Sequence, residues 1–382
     1  MNHTEHQHSL FSECIENEEY LTTQIITYIG NKRALLDFIG EALNKVKKKL
    51  NTDKLDIVDL FSGSGIVSRY FKQHSRHLIA NDLEGYSYVI NKCYLSNKSE
   101  INFDEINKWY NYLVDEIDKN NLKSGFISEM YAPKQIDHIN IDERVFFTPR
   151  NAKFIDTVRQ LINDIPLEYQ CFFIAPLISE ASIKNNTSGV FKGFYKNSKT
   201  GIGQYGGNNR DALSRIKRNI ELKYPVFSNF ECSVEVFKKD ANDFAKNMAP
   251  ADLVYIDPPY NQHPYGSNYF MLNLINEYIR PSEVSNVSGI PTDWNRSAYN
   301  KKQKSKIAFS ELCNNLNAKY LLISFNSEGF ITKDEMISIL SNIGKVEHME
   351  KKYYTFRGSR NLNNRNIHVH EYLFLVEKYN DK

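Results

Sequence analysis

Asp56 to Phe71 leaves the chain few architectural choices. Asp56 to Phe61 is a short apolar run, the length of a buried strand. Ser62-Gly63-Ser64-Gly65 follows, and Ile66 to Phe71 resumes at helical spacing. A strand turned by glycines straight into a helix sends that helix back over a sheet face, so the next strand runs parallel. The theme recurs. Further strands are expected at Leu78 to Asp82, Ser233 to Lys238, Asp252 to Asp257 and Tyr320 to Phe325, with helices at Leu35 to Leu50, Asp104 to Lys119 and Asp334 to Leu340. Val346 to Tyr354 and His368 to Glu377 alternate and would pair antiparallel across Arg357 to Arg365. The expected fold is α/β, a mixed sheet of mostly parallel strands closed by a C-terminal antiparallel hairpin. Ser124 to Gly207 shows poor periodicity and reads as a separate inserted unit.

Composition supports a globular enzyme-sized body. The 382 residues are 41% apolar and 25% charged, which excludes a disordered or collagen-like chain. No apolar run of transmembrane length occurs, so no membrane partner is expected. Met1 to Tyr20 is polar, acidic and without a signal-peptide core, and reads as a flexible tail. The five cysteines are scattered and never form C-x-x-C, which argues against disulfides and zinc and for a reducing cytoplasm. His3, His6 and His8 read as solvated tail, and His368 and His370 share one strand face without metal-ligand company. No metal is expected.

Three motifs carry chemistry. Asp59-Leu60-Phe61-Ser62-Gly63-Ser64-Gly65 lets the backbone pass close to a ligand. It lacks the third glycine of a dinucleotide fingerprint, since Ser68 stands there, which weakens a nicotinamide oxidoreductase reading. Asn81-Asp82 ends the next strand, where a carboxylate can accept both hydroxyls of a ribose bound over the glycine turn. Asp257-Pro258-Pro259-Tyr260 ends a later strand. Its prolines remove two backbone donors and keep the chain extended, so the Asp257 carboxylate and the Pro258 carbonyl can both act as acceptors. Two acceptors and the Tyr260 ring suit a primary aromatic amine, which offers two N–H donors and a flat face.

Together these motifs resemble the amino-directed DNA methyltransferases that use S-adenosylmethionine, with the D-P-P-Y signature of adenine-N6 enzymes. Tyr28-Ile29-Gly30-Asn31-Lys32-Arg33 is similar to that family's N-terminal cofactor motif. The motif order resembles the Dam-like subgroup. Asn261 to Tyr269 and Ser324 to Gly329 look closer to FokI-type modification methylases. One departure is Leu60, where many Dam-like members carry proline. The resemblance implies a Rossmann-like class I methyltransferase fold, with a catalytic domain in 21–100 and 231–382 and a target recognition domain in 101–230. It implies S-adenosylmethionine held by Tyr28, Lys32, Asp59, Phe61, Gly63, Gly65, Asp82 and Asp257. Asp240 is similar to the acid that contacts the cofactor adenine, and Asp243 competes for that role. Asp257, Pro258, Pro259 and Tyr260 would form the catalytic set, with Phe325 or Tyr265 as walls around a flipped base. The implied partner is double-stranded DNA, for a monomer or weak dimer that is either the methylase of a restriction-modification system beside a cognate restriction endonuclease or a phage or orphan methylase. No room remains for a nuclease domain.

Net charge is only +2, yet its distribution is uneven. Lys184 to Lys223 carries +7, and Arg296 to Ser310 and Lys351 to Arg365 carry +5 each with no acid. This suits a polyanion-binding face on an acidic body. Asn185, Asn186, Gln204, Asn208, Asn209 and Arg210 are side chains that can read base edges, in what would otherwise be a glycine-rich surface loop. Arg357, Arg360 and Arg365 would touch phosphate. The rivals are an RNA adenine-N6 methyltransferase, disfavoured by the long variable region, and a catalytically silent nucleic-acid-binding module, disfavoured by the intact D-P-P-Y.

Overall fold

The computed structural model describes residues 14–119, 121–354 and 368–379. Seven strands form one sheet: β1 (Leu55–Asp59), β2 (Ser75–Asp82), β3 (Ser233–Lys238), β4 (Ala251–Ile256), β5 (Ala318–Asn326), β6 (Gly344–Tyr354) and β7 (His368–Lys378). Their order across the sheet is β3-β2-β1-β4-β5-β7-β6. The first five in that order run parallel, and β7 pairs antiparallel with both β5 and β6. The mixed sheet expected from the sequence is the one observed. Residues 355–367, with Arg357, Arg360 and Arg365, lie outside the described residues, as does the His3 to His8 tract.

Helices cover both faces, which is why the central strands are apolar on both sides. On one face, α1 (Leu36–Leu50) and α2 (Ile66–Lys72) cover Ile57, Leu253, Tyr255, Leu322 and Leu375. On the other, α8 (Lys302–Asn315) and α9 (Lys333–Ser341) cover Val58, Val254, Ile256, Leu321 and Ile323. α1 starts after a short 3-10 turn and ends at Asn51, whose φ of 49° suits a left-handed cap.

The stretch read as poor in periodicity holds two long helices, which corrects that expectation in part. It holds α5 (Pro149–Ile162) and α6 (Leu167–Ile183), after α3 (Gly85–Tyr94) and α4 (Phe103–Lys119). Thr148 caps α5 by accepting from the Asn151 amide, with Pro149 at the first helical position. α6 packs against α3 and α7 (Phe270–Glu277), so residues of 101–230 share one apolar core with the motif-bearing segments. β1 ends at Asp59, two residues short of expectation. The Leu60 amide still donates to the Tyr255 carbonyl at 3.1 Å before the chain turns. No helix among the described residues is long and apolar enough to cross a membrane.

Candidate active site

Parallel pairing brings the C-terminal ends of β1, β2 and β4 to one edge, where α/β sheets bind ligands. Asp59, Asp82 and Asp257 arrive there together. They line one open cavity, about 860 Å³ with its solvent-filled mouth included, with Tyr28, Lys32, Phe61, Gly63, Asp240 and Pro259. Gly65, Pro258 and Tyr260 belong to the same turns but stand outside its lining.

The glycine turn is built for close approach. Gly63 has φ +50°, and a Cβ there would meet the Tyr28 ring at 2.8 Å. Its amide donates to Asp82 Oδ2 at 2.7 Å, while Asp82 Oδ1 accepts from the Glu84 amide at 2.9 Å. Gly65 has φ +74° and caps α2, with Asn91 Oδ1 2.8 Å from where a Cβ would sit. Above the turn, Tyr28 stacks against both Tyr265 and Tyr269, with ring centroids 4.9 and 4.8 Å away, and those two rings stack on each other at 5.9 Å. Tyr265 donates to the Ile29 carbonyl and Tyr269 accepts from the Ile29 amide, which straps the Tyr28 to Lys32 segment over the site.

Burial raises the three strand-end carboxyls, Asp59, Asp82 and Asp257, above the usual carboxylate range. Burial pushes Asp59 up to about 7, against a hydrogen bond from Ser68 Oγ at 2.5 Å. Its Oδ1 is buried with no partner among the described residues. Burial also raises Asp82, against the amides of Glu84 and Gly63. Asp257 is pushed up to about 7 by burial, with Lys32 opposing and Glu371 adding to the rise. Burial works against the Lys32 charge, but Asp257 and Glu371 outweigh it and hold the ammonium above its usual range. Lys32 Nζ lies 2.6 Å from Glu371 Oε1 and 3.3 Å from Asp257 Oδ1, over the Tyr260 ring at 5.9 Å from its centroid. Tyr260 itself is buried edge-on to Phe325, with ring centroids 5.6 Å apart.

At the far end Phe61 meets the Tyr299 ring edge-on at 5.3 Å, beside Asp240. Asp240 Oδ1 accepts from the Asn242 and Asp243 amides, capping the short helix Ala241–Ala245. Asp243 instead pairs with Lys246 at 2.7 Å on the exposed side.

Asn208, Asn209 and Arg210 lie together on an exposed turn some distance along the chain, with Asn208 anchored to Ser198. Asn185 and Asn186 are a correction: both are buried, and their amides are consumed by backbone partners, including the Ala181, Ser182 and Val145 carbonyls. They cannot reach a base edge. Sequence reasoning missed Glu371, and also Glu84, which burial pushes up to about 7 and which is held by Asn273 at 2.6 Å and Asn295 at 3.1 Å. Glu371 shares strand parity with the buried Leu373 and Leu375, and a carboxylate on a core-facing position was the available signal. Among the described residues no cluster of His, Cys, Asp and Glu is arranged for a metal ion.

A sheet in this order, with acids at three strand ends around one cavity, is a Rossmann-like methyltransferase fold. The chain belongs to the D12 class N6 adenine-specific DNA methyltransferases, whose family model matches residues 28–339. It is 31% identical over 361 residues to the type II methyltransferase M.CviAII of Paramecium bursaria Chlorella virus 1, covering 92% of this chain and 98% of that one. It is 29% identical over 364 residues to M.NlaIII of Neisseria lactamica, covering 92% and 99%. M.FokI of Planomicrobium okeanokoites is 29% identical over 368 residues, and the match spans 52% of its length.

Proposed function

We propose that the cavity binds S-adenosylmethionine and that the enzyme methylates N6 of adenine at a specific site in double-stranded DNA. The observation that carries this reading is the set of raised carboxyls around one cavity beside Asp257-Pro258-Pro259-Tyr260. The cofactor brings a sulfonium and an ammonium, and buried, under-satisfied carboxyls such as Asp59 fit such cations. Tyr28, Lys32, Asp59, Phe61, Gly63, Gly65 and Asp82 would shape its pocket, and Asp240 would take its adenine in the slot beside Phe61 and Tyr299.

When bound, the cofactor supplies an electrophilic methyl group. The chain's part is to place the amine in line with it. The Asp257 carboxylate and the Pro258 carbonyl each accept one amine hydrogen, which favours an sp3 nitrogen with its lone pair free. The proton leaves after the methyl arrives, when it is far more acidic, and a carboxylate poised near 7 suits its removal. A paired adenine cannot reach this pocket, so the base is flipped out of the duplex. Arg210 with Asn208 and Asn209 would read the site, and Arg357, Arg360 and Arg365 would hold phosphates. Relatives that are type II methyltransferases support a role beside a cognate restriction endonuclease.

Modified-base sequencing of DNA from cells expressing the protein tests this. N6-methyladenine at a single motif, absent with Asp257→Ala, is the expected result. DNA without adenine methylation would overturn it.

A further inference from the structure

The Lys32 ammonium creates a chemical problem at the methyl-transfer site. It sits 3.3 Å from Asp257, the carboxylate that should accept from the target amine. A cation bound only to Asp257 would occupy an acceptor oxygen and drain its negative charge. Glu371, on β7 beyond the intervening β5, lies closer to the same ammonium, at 2.6 Å. Its side chain is 1% exposed and its Oε1 also accepts from Ser324 Oγ of β5 at 2.5 Å. Its Oε2 is buried without a hydrogen-bond partner among the described residues, a cost that a purely structural anchor would avoid.

We propose that Glu371 is a positioning residue that takes over the charge of Lys32 and so leaves the Asp257 carboxylate free, and negative, to accept the adenine amine. The inference rests on the methyltransferase reading above. One cation between two carboxylates leaves the trio one net negative charge. Glutamine at 371 would make the trio neutral and give Lys32 to Asp257 alone. The ionisable groups facing Asp257 are Lys32 from the N-terminal strap, Asp59 from β1, Tyr255 from its own strand, Tyr260 and Tyr265 from the following loop, and Glu371 from β7. Glu371 is the carboxyl that raises Asp257 most among them, after burial itself.

The test is the pH profile of single-turnover methyl transfer with cofactor and DNA both saturating. Wild type should lose rate as Asp257 takes up a proton, with an acid limb below the ligand-free value of about 7, because the bound sulfonium favours the carboxylate. Glu371→Gln removes the upward push on Asp257, so its limb should move down by about one pH unit. Its plateau should fall on the order of tenfold, because the acceptor is weaker. Glu371→Asp should recover part of both, and cofactor affinity should stay within about twofold. If Glu371→Gln does not fold, Ser324→Ala loosens the same carboxylate and should move the limb in the same direction by less. An unmoved limb in a folded variant, or a rate loss matched by a loss of folded protein alone, would overturn the proposal. If wild type methylates no adenine, the underlying functional reading fails instead.

Discussion

Asp257 is reached from three directions, by Lys32, by burial and by the cavity, yet it is not needed to hold Lys32 in place. Lys32 keeps its shorter contact to Glu371 when Asp257 is gone. Asp257→Ala should therefore abolish methyl transfer while cofactor binding and folding persist. A variant retaining more than about a tenth of the wild-type rate, roughly 1.4 kcal/mol of barrier, would remove Asp257 from the reaction. Asp82 is different, because both of its oxygens already hold backbone amides. Asp82→Ala leaves the buried Gly63 and Glu84 amides without acceptors, so it should cost about 1–3 kcal/mol of stability as well as about 1–3 kcal/mol of cofactor affinity. Calorimetric titration beside a thermal melt separates the two losses. A melt that falls with unchanged affinity would transfer the ribose role to Glu84, whose carboxyl lines the same cavity. The sequence announces Asp82 as an acid after a strand, but not that its oxygens are already engaged, because that depends on the fold of the glycine turn.

Strands announce themselves more clearly than the helices between them. β1 and β4 are short apolar runs ended by Asp, β5 is a longer one ended by Asn, and the chain around them has few alternatives. α6 hides because it is apolar nearly all round: Phe172, Phe173, Ile174, Leu177 and Ile178 point to several neighbours, so no polar face marks a period. α5 hides for the opposite reason. Asn151, Asp156 and Arg159 are buried in it, and Asp156 accepts from the Gly125, Ile127 and Ser128 amides, so polar residues occupy core positions. Turns are harder still. Gly206 has φ +73°, and a Cβ there would sit 2.7 Å from the backbone of Arg210 and Asp211. The tight turn thrusts Arg210 outward at φ 51°, a conformation costly for a residue with a side chain. That strain makes a clean experiment. Arg210→Gly should leave the melting temperature unchanged or higher, since glycine accepts that backbone freely. The same variant should weaken binding to the methylated motif by about 1–3 kcal/mol more than to random duplex if Arg210 pairs with a guanine edge. Competition binding with both duplexes checks it, and equal losses would move sequence reading to another segment.

Charge is segregated across the molecule, with basic stretches for the polyanion and an acidic cavity for the proposed cofactor. Asp59, Glu84 and Asp257 all sit near 7 in one cavity, and Asp82 is raised beside them. A carboxyl raised on folding binds protons that the unfolded chain has already lost. Between about pH 4 and 7 these groups therefore make the ligand-free protein less stable as pH rises. His74 works the other way: burial, with Lys47 and Lys54 beside it, pushes it down to about 4, so it favours folding as pH rises over part of that window. Three carboxyls against one imidazole should give the ligand-free protein a higher melting temperature at pH 5.5 than at 7.5. Cofactor binding should show the reverse dependence. A sulfonium and an ammonium favour ionised Asp59 and Glu84 in the pocket, so binding must expel the protons that these two hold near neutrality. The affinity for S-adenosylmethionine should rise from pH 6 to 8, by up to about tenfold per unit for each proton released. The demethylated product has a neutral sulfur and should depend less on pH. Titration calorimetry in buffers of differing ionisation heat counts the protons directly. A dissociation constant that stays level from pH 6 to 8, with no proton release, would mean that these carboxyls do not face the bound cation.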